Sequence, residues 1–277
     1  MFDAKCIIED SYRTYSIVDF QQLSDNEIAR LRQFLECPKC GGKAFYRKKS
    51  VDGKAACFGS RYHTCEDANP TPQRQTEIQN AIEVEKIIAS SEVINITFSP
   101  RSAGAKETQT TIVHSAMLGC DAKDKNVYTQ QANTTRTPSV GLKKILDSLM
   151  AGSSLSDSKI IISIDGFSFK AKNLFVNFSD SSPAININSA KPKMYWGTLS
   201  HSDDHIEWLN PADCNDVGIS LGGYRDKIIQ NFSISDKRCL EGAGIILFGH
   251  CFWNAKKNRK IIKLWNDERV HISFLED

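Results

Sequence analysis

Residues 37 to 65 confine the chain more tightly than any other stretch. They begin Cys37-Pro38-Lys39-Cys40-Gly41-Gly42 and continue to Cys57, His63 and Cys65. Two residues between Cys37 and Cys40 let both thiolates reach one tetrahedral ion, and the glycines that follow let the backbone fold beneath the sulfurs. Cys57, His63 and Cys65 then offer further thiolate and imidazole ligands. Cys37 and Cys40 form the first pair, and five candidates compete for four places. His63 with Cys65 is the preferred second pair, because both sit in a polar run suited to a loop, whereas Cys57 lies in "AACFG", a segment that reads as an inward-packing strand. The pairs Cys57 with His63 and Cys57 with Cys65 stay open, since spacing does not separate them.

The "CPKCGG" turn and the later Cys/His group resemble zinc-ribbon and zinc-knuckle modules, over about 30 residues of the chain. The resemblance implies one structural zinc ion, with all four positions filled by protein and none left for water activation. It also implies a role in holding structure or contacting nucleic acid, and no reaction. Reduced structural thiols or a redox pair are the competing reading, but a redox motif needs a βαβ setting that this segment lacks.

Seven basic side chains are interleaved with these ligands: Lys39, Lys43, Arg47, Lys48, Lys49, Lys54 and Arg61, against Asp52 alone. Phe45, Tyr46, Phe58 and Tyr62 lie among them. Cations for phosphates beside aromatic faces for unstacked bases are the ingredients of a surface for single-stranded or flexible nucleic acid. The same aromatics would serve equally as the core of a small ribbon. A second basic run, Lys256, Lys257, Arg259, Lys260 and Lys263, follows Phe252 and Trp253 at an expected hairpin tip. On a barrel of the OB kind such a hairpin rims the ligand groove, and a solvated turn guarding an edge strand accounts for it about as well.

The 277 residues, 40% of them hydrophobic, suffice for a sizeable core. Lys and Arg (35) nearly balance Asp and Glu (33), so no global field draws the molecule to a polyanion, and any such binding must come from local patches. The first twenty residues carry charges that interrupt any leader-like apolar run, and no window approaches a membrane span. A cytoplasmic protein without membrane contact is the expectation. Nine cysteines, an odd number clustered at one end, make a poor disulfide framework.

The expected fold class is α+β: a helix and zinc-ribbon-like module over 1–70, a mixed segment with long polar loops over 71–158, and a β-rich domain, an OB-like barrel or sandwich with a few helices, over 159–277. Residues 21–36 predict a helix capped by Ser24 with Glu27 as capping-box partner. Apolar positions 78, 81, 82, 84, 87 and 88 predict another, followed by a strand at "VINITF". Residues 99–139 read as loops with one buried segment at "IVHSAML". "VGLKKILDSLMAG" predicts a helix stopped at Gly152, Asp165-Gly166 a hairpin turn, and the last 36 residues three successive antiparallel strands turned at "NAKKN" and at Asn266-Asp267.

No catalytic residue stands out. "HSDDHIEW" (201–208) has His201 and His205 at helical spacing but no metalloprotease pattern, and Asp165 with Lys170 and Lys172, or Glu83 and Glu85 with Lys86, lack a nuclease order. The leading expectation is a nucleic-acid-binding accessory protein with structural zinc. The alternatives are a protein-interaction scaffold and a divergent metal-dependent nuclease.

Overall fold

The computed structural model describes residues 1, 3–8, 11–49, 56–60, 72–98 and 137–275. His63, Cys65, Lys54, Arg61, Tyr62 and the "IVHSAML" segment lie outside the described residues.

An antiparallel hairpin, β1 (Asp3–Ile8) and β2 (Ser11–Ser16), opens the chain, and β3 (Leu35–Glu36) joins the other edge of β1. Between them run α1 (Ile17–Gln21) and α2 (Asp25–Leu31). The expected helix over 21–36 is thus broken, but its capping box forms: Ser24 accepts from the Glu27 amide and Glu27 reaches back to the Ser24 amide. β4 (Phe45–Arg47) and β5 (Cys57–Gly59) pair beside them. Phe20, Tyr46 and Phe58 interlock at the centre, with ring centroids 5.0 to 6.0 Å apart. A unit this small has few large apolar residues to bury, so its strand aromatics go inward.

The middle unit is a four-stranded sheet in the order β7-β6-β8-β9, made of β6 (Val93–Thr97), β7 (Ser139–Gly141), β8 (Ile161–Ile164) and β9 (Phe167–Lys170). β6 is parallel to both β7 and β8, and helices α3 (Pro72–Ser90) and α4 (Leu142–Met150) cover the sheet. The Asp165-Gly166 turn forms as expected, with both residues at positive φ. β8 pairs with β6 and β9 with β8, so this sheet runs on to residue 170, past the boundary expected at 158/159.

After α5 (Ala171–Leu174) and β10 (Phe175–Asn177) comes a closed five-stranded barrel. Its strands are β11 (Pro192–Ser202), β12 (Trp208–Pro211), β13 (Val217–Ser220), β14 (Gly244–Asn254) and β15 (Arg259–Leu264), with α6 (Arg225–Asn231) between β13 and β14. Around the ring, β11 pairs β12, β12 pairs β13, β13 pairs β15 in parallel, β15 pairs β14, and β14 returns to β11. The last strand, β16 (Val270–Ser273), joins β14 rather than β15, so the final three strands are not a simple meander.

Two features of sequence make closure possible. β11 and β14 are eleven residues each, long enough to pair with different partners at their two ends. Gly197, at φ 154, lets β11 bend across Phe178 and the Asp213 carboxylate, where a Cβ would collide with both. Asp213 Oδ2 accepts from the Thr198 amide at 2.9 Å, pinning that bend. β14 is apolar on both faces: Ile245, Leu247 and Cys251 enter the barrel core, while Ile246 and Phe248 pack with α4 against the middle unit. A strand buried on both sides reads as a continuous apolar run, as "GIILFG" does.

Candidate nucleic-acid interface

The Cys37 turn has the conformation its sequence predicts. The Cys37 amide donates to Gly42 O at 2.8 Å, the Gly41 amide donates to Cys37 O at 2.9 Å, and Gly41 sits at φ +69. Cys37 is buried and Cys40 partly so. Cys57 does lie on a strand, β5, but Phe58 is that strand's inward residue and Cys57 is half-buried on the opposite face. Among the described residues no three His, Cys, Asp or Glu side chains gather into a metal-binding group. Cys37 and Cys40 are thiols whose donor chemistry suits zinc, and the other two preferred candidates, His63 and Cys65, lie outside the described residues.

The basic and aromatic residues of this module separate into two sets. Phe45 and Tyr46 are 3% and 1% exposed, so the stacking role expected of them is overturned by burial. Phe45 fills the space above Gly59 and Gly242, and Tyr46 belongs to the core described above. Lys43 pairs with Glu36 at 2.7 Å, and Lys48 with Asp25 at 3.3 Å. Arg47 lies on β4 opposite Cys57, and Lys49 is exposed, its carbonyl accepting from Arg238 at 3.1 Å.

On the barrel, the expected hairpin forms between β14 and β15, with its tip at 255–258 and Asn258 at positive φ. Trp253, Lys256 and Lys257 are exposed. The Lys257 ammonium sits 3.8 Å from the centre of the Trp208 ring. Lys260 pairs with Asp216 at 2.9 Å. Arg259 folds flat instead of reaching out: its guanidinium covers Gly218 and donates to Asn210 Oδ1 at 3.3 Å and to the Val217 carbonyl.

A row that the sequence did not bring together lies on the barrel's outer surface. Strand registers align Trp208, Ser220, Lys263 and His250 across β12, β13, β15 and β14. Their neighbours Leu209, Ile219, Ile262 and Cys251 form the matching inner row, all within the core. Period-two alternation therefore puts the polar and aromatic row outside. Trp265, 43% exposed, stacks on His250 with centroids 5.1 Å apart and planes at 25°. Burial, and then Lys263, lower the His250 pKa, which favours the neutral ring. At roughly 4.8 Å per strand, the row extends about 14 Å with an aromatic group at each end and a lysine between. The signal available in sequence was the alternation in "EWLNP" and "VGIS", too short to reveal which strands are neighbours.

The "HSDDHIEW" run is the connection between β11 and β12 and is not helical. His201 is on β11, while His205 is exposed in a turn whose Asp203 carboxylate accepts from the Glu207 and Trp208 amides at 2.8 and 2.9 Å. The carboxylates considered for a nuclease each have separate engagements: Glu83 with Lys144, Glu85 with Ser154, Asp165 with Arg269. They do not converge.

No protein-family profile, curated protein or solved structure matches the chain. No helix among the described residues is long and apolar enough to cross a membrane.

Proposed function

We propose that the chain is a nucleic-acid-binding accessory protein in which an OB-like barrel presents the binding face and a zinc ribbon is docked against it. The observation that carries this reading is the outer row Trp208–Ser220–Lys263–His250 with Trp265 beyond it, flanked by the Trp253–Lys257 hairpin. Numbering the five barrel strands one to five, the ring runs 1-2-3-5-4-1 with strands three and five parallel, and the hairpin is the connection between strands four and five. In OB-folds the face of strands two and three and the loops joining one to two and four to five take up oligonucleotides. Aromatic rings stack on bases of any sequence, and lysines meet the phosphates. Zinc, held by Cys37 and Cys40 with His63 and Cys65, would order the ribbon and supply no chemistry of its own.

The test is binding of a fluorescent single-stranded oligonucleotide over a salt series. Affinity that falls steeply with salt supports the reading, because phosphate contacts release counterions; no binding at low salt overturns it. A protein-scaffold reading draws on Ile78 and Ile82, 40% and 44% exposed on one face of α3. That reading predicts a partner whose capture is lost in Ile78→Lys with oligonucleotide binding intact.

A further inference from the structure

The outer row does not end at Trp265. The Arg269 guanidinium lies 5.3 to 5.5 Å from the centres of three rings, Phe98, Phe248 and Trp265, and it pairs with Asp165 in the turn between β8 and β9. Rings around a cation hold it by their quadrupoles, so Arg269 ties the β8–β9 hairpin to the Trp265 end of the row.

A second link runs beside it. Phe169 on β9 meets Phe248 edge to face at 6.4 Å, and Phe248 meets Trp265 at 5.5 Å. Across the hairpin Phe169 faces Ile162 and Phe167 faces Ile164, and both isoleucines belong to the core of the middle unit. Alternation therefore puts Phe167 on the same side of β9 as Phe169. Phe167 is bracketed in sequence by Asp165 and Phe169, each joined to a neighbour of Trp265. Its own ring stays 70% exposed.

A single exposed phenylalanine is ordinary on a protein surface. Phe167 is not single, because it follows Trp208, His250 and the half-exposed Trp265 along one course. Between these rings come polar groups, Ser220 and Lys263, so the surface offers separate flat faces rather than one broad apolar patch. Separate faces suit separate planar guests, which is how bases of a single strand are held. Lys263 is exposed and has no ion-pair partner among the described residues, which leaves its ammonium for a phosphate.

We propose that the strand path continues past Trp265 onto the β8–β9 hairpin and ends with a base stacked on Phe167. This inference rests on the nucleic-acid reading above and adds to it the course and the kind of strand. The path leaves the barrel for the edge of a second sheet, a change of direction that a flexible single strand follows readily and a stiff duplex resists.

Fluorescence anisotropy with oligothymidines of about four to about sixteen nucleotides, the range that OB-folds hold, is the test. Affinity of the unaltered chain should rise with length until the path is filled. Phe167→Ala should weaken the longest strand about tenfold and leave the shortest unchanged, whereas Trp265→Ala weakens both. Phe167→Tyr, which keeps a ring, should bind as the unaltered chain does; Phe167→Leu, apolar but without a π face, should behave as the alanine variant. Melting should be the same in all three Phe167 variants, since the side chain is exposed. An effect of Phe167→Ala that is equal at every length, or absent at every length, or a leucine variant that binds normally, overturns the extension and leaves the barrel face standing. No binding by the unaltered chain at any length overturns both readings.

Discussion

Arg32 and Glu241, 209 positions apart, meet with Nη2 and Oε1 at 2.9 Å between the N-terminal unit and the barrel. Both side chains are about nine-tenths buried. The same carboxylate accepts from the Lys48 amide at 3.1 Å, and the same guanidinium donates to the Ser200 and Tyr46 carbonyls. Two units that pack separate cores are thereby fixed in one orientation.

Removing one partner strands a buried charge, which costs on the order of 3 to 5 kcal/mol. Arg32→Met and Glu241→Leu should each lower stability in urea unfolding by about 3 kcal/mol. The double variant, with both charges gone, should lose distinctly less than the sum. An additive double variant would mean that the two side chains are energetically independent.

His201 makes stability depend on pH. Burial first, then Arg32, Arg259 and Lys237, push its pKa down to about 3. In the unfolded chain a histidine titrates near 6.5. Between these values the unfolded state binds a proton that the folded state refuses, so the contribution is complete above about pH 6.5 and is lost as pH falls toward 3. Between pH 7 and pH 4.5 the loss is about 2 to 3 kcal/mol. Urea unfolding at the two pH values, compared with His201→Gln, isolates this effect from the carboxylates; an equal pH dependence in the variant would refute it.

Local signals in the sequence survived folding where short-range chemistry decides the outcome. Ser24 with Glu27, the Asp165-Gly166 turn and the tip at 255–258 each depend on four or five neighbouring residues, and each formed. Closure of the barrel depends on β13 lying parallel to β15 and on β14 returning to β11, contacts set by cores far apart in sequence. Phe45 and Tyr46 show the same limit: a basic, aromatic run looks alike whether its rings face solvent or a core, and the pairing of β4 with β5 and the packing of Phe20 decide it. The row from Trp208 to Trp265 was hidden because its members come from four strands and the connection that follows β15.

The proposed ribbon sets an order among the cysteines. Purified protein should hold about one zinc per chain by elemental analysis. Cys37→Ser and Cys40→Ser should lose it, since a structural site with three ligands binds far more weakly. Cys57→Ser should retain it, because Cys57 lies on β5 and the proposed set is completed by His63 and Cys65. Cys239→Ala is the control. Loss of zinc in Cys57→Ser would exchange that residue for one of the later pair.

The hairpin and row can be separated from the framework by comparing cations of one run. Lys256 and Lys257 are exposed at the tip, whereas Arg259 crosses Gly218 to Asn210 and Val217. Lys256→Ala should leave melting unchanged, weaken oligonucleotide binding several-fold and lower the salt slope by about one charge. Arg259→Ala should instead destabilise the barrel by about 1 to 2 kcal/mol by removing donors from two acceptors. Trp265→Ala, which takes away a stacking face, should weaken binding by about 1 to 3 kcal/mol with the salt slope unchanged. A tryptophan effect that scales with salt would place Trp265 outside the path of the strand, and the row would then be a surface for some other ligand.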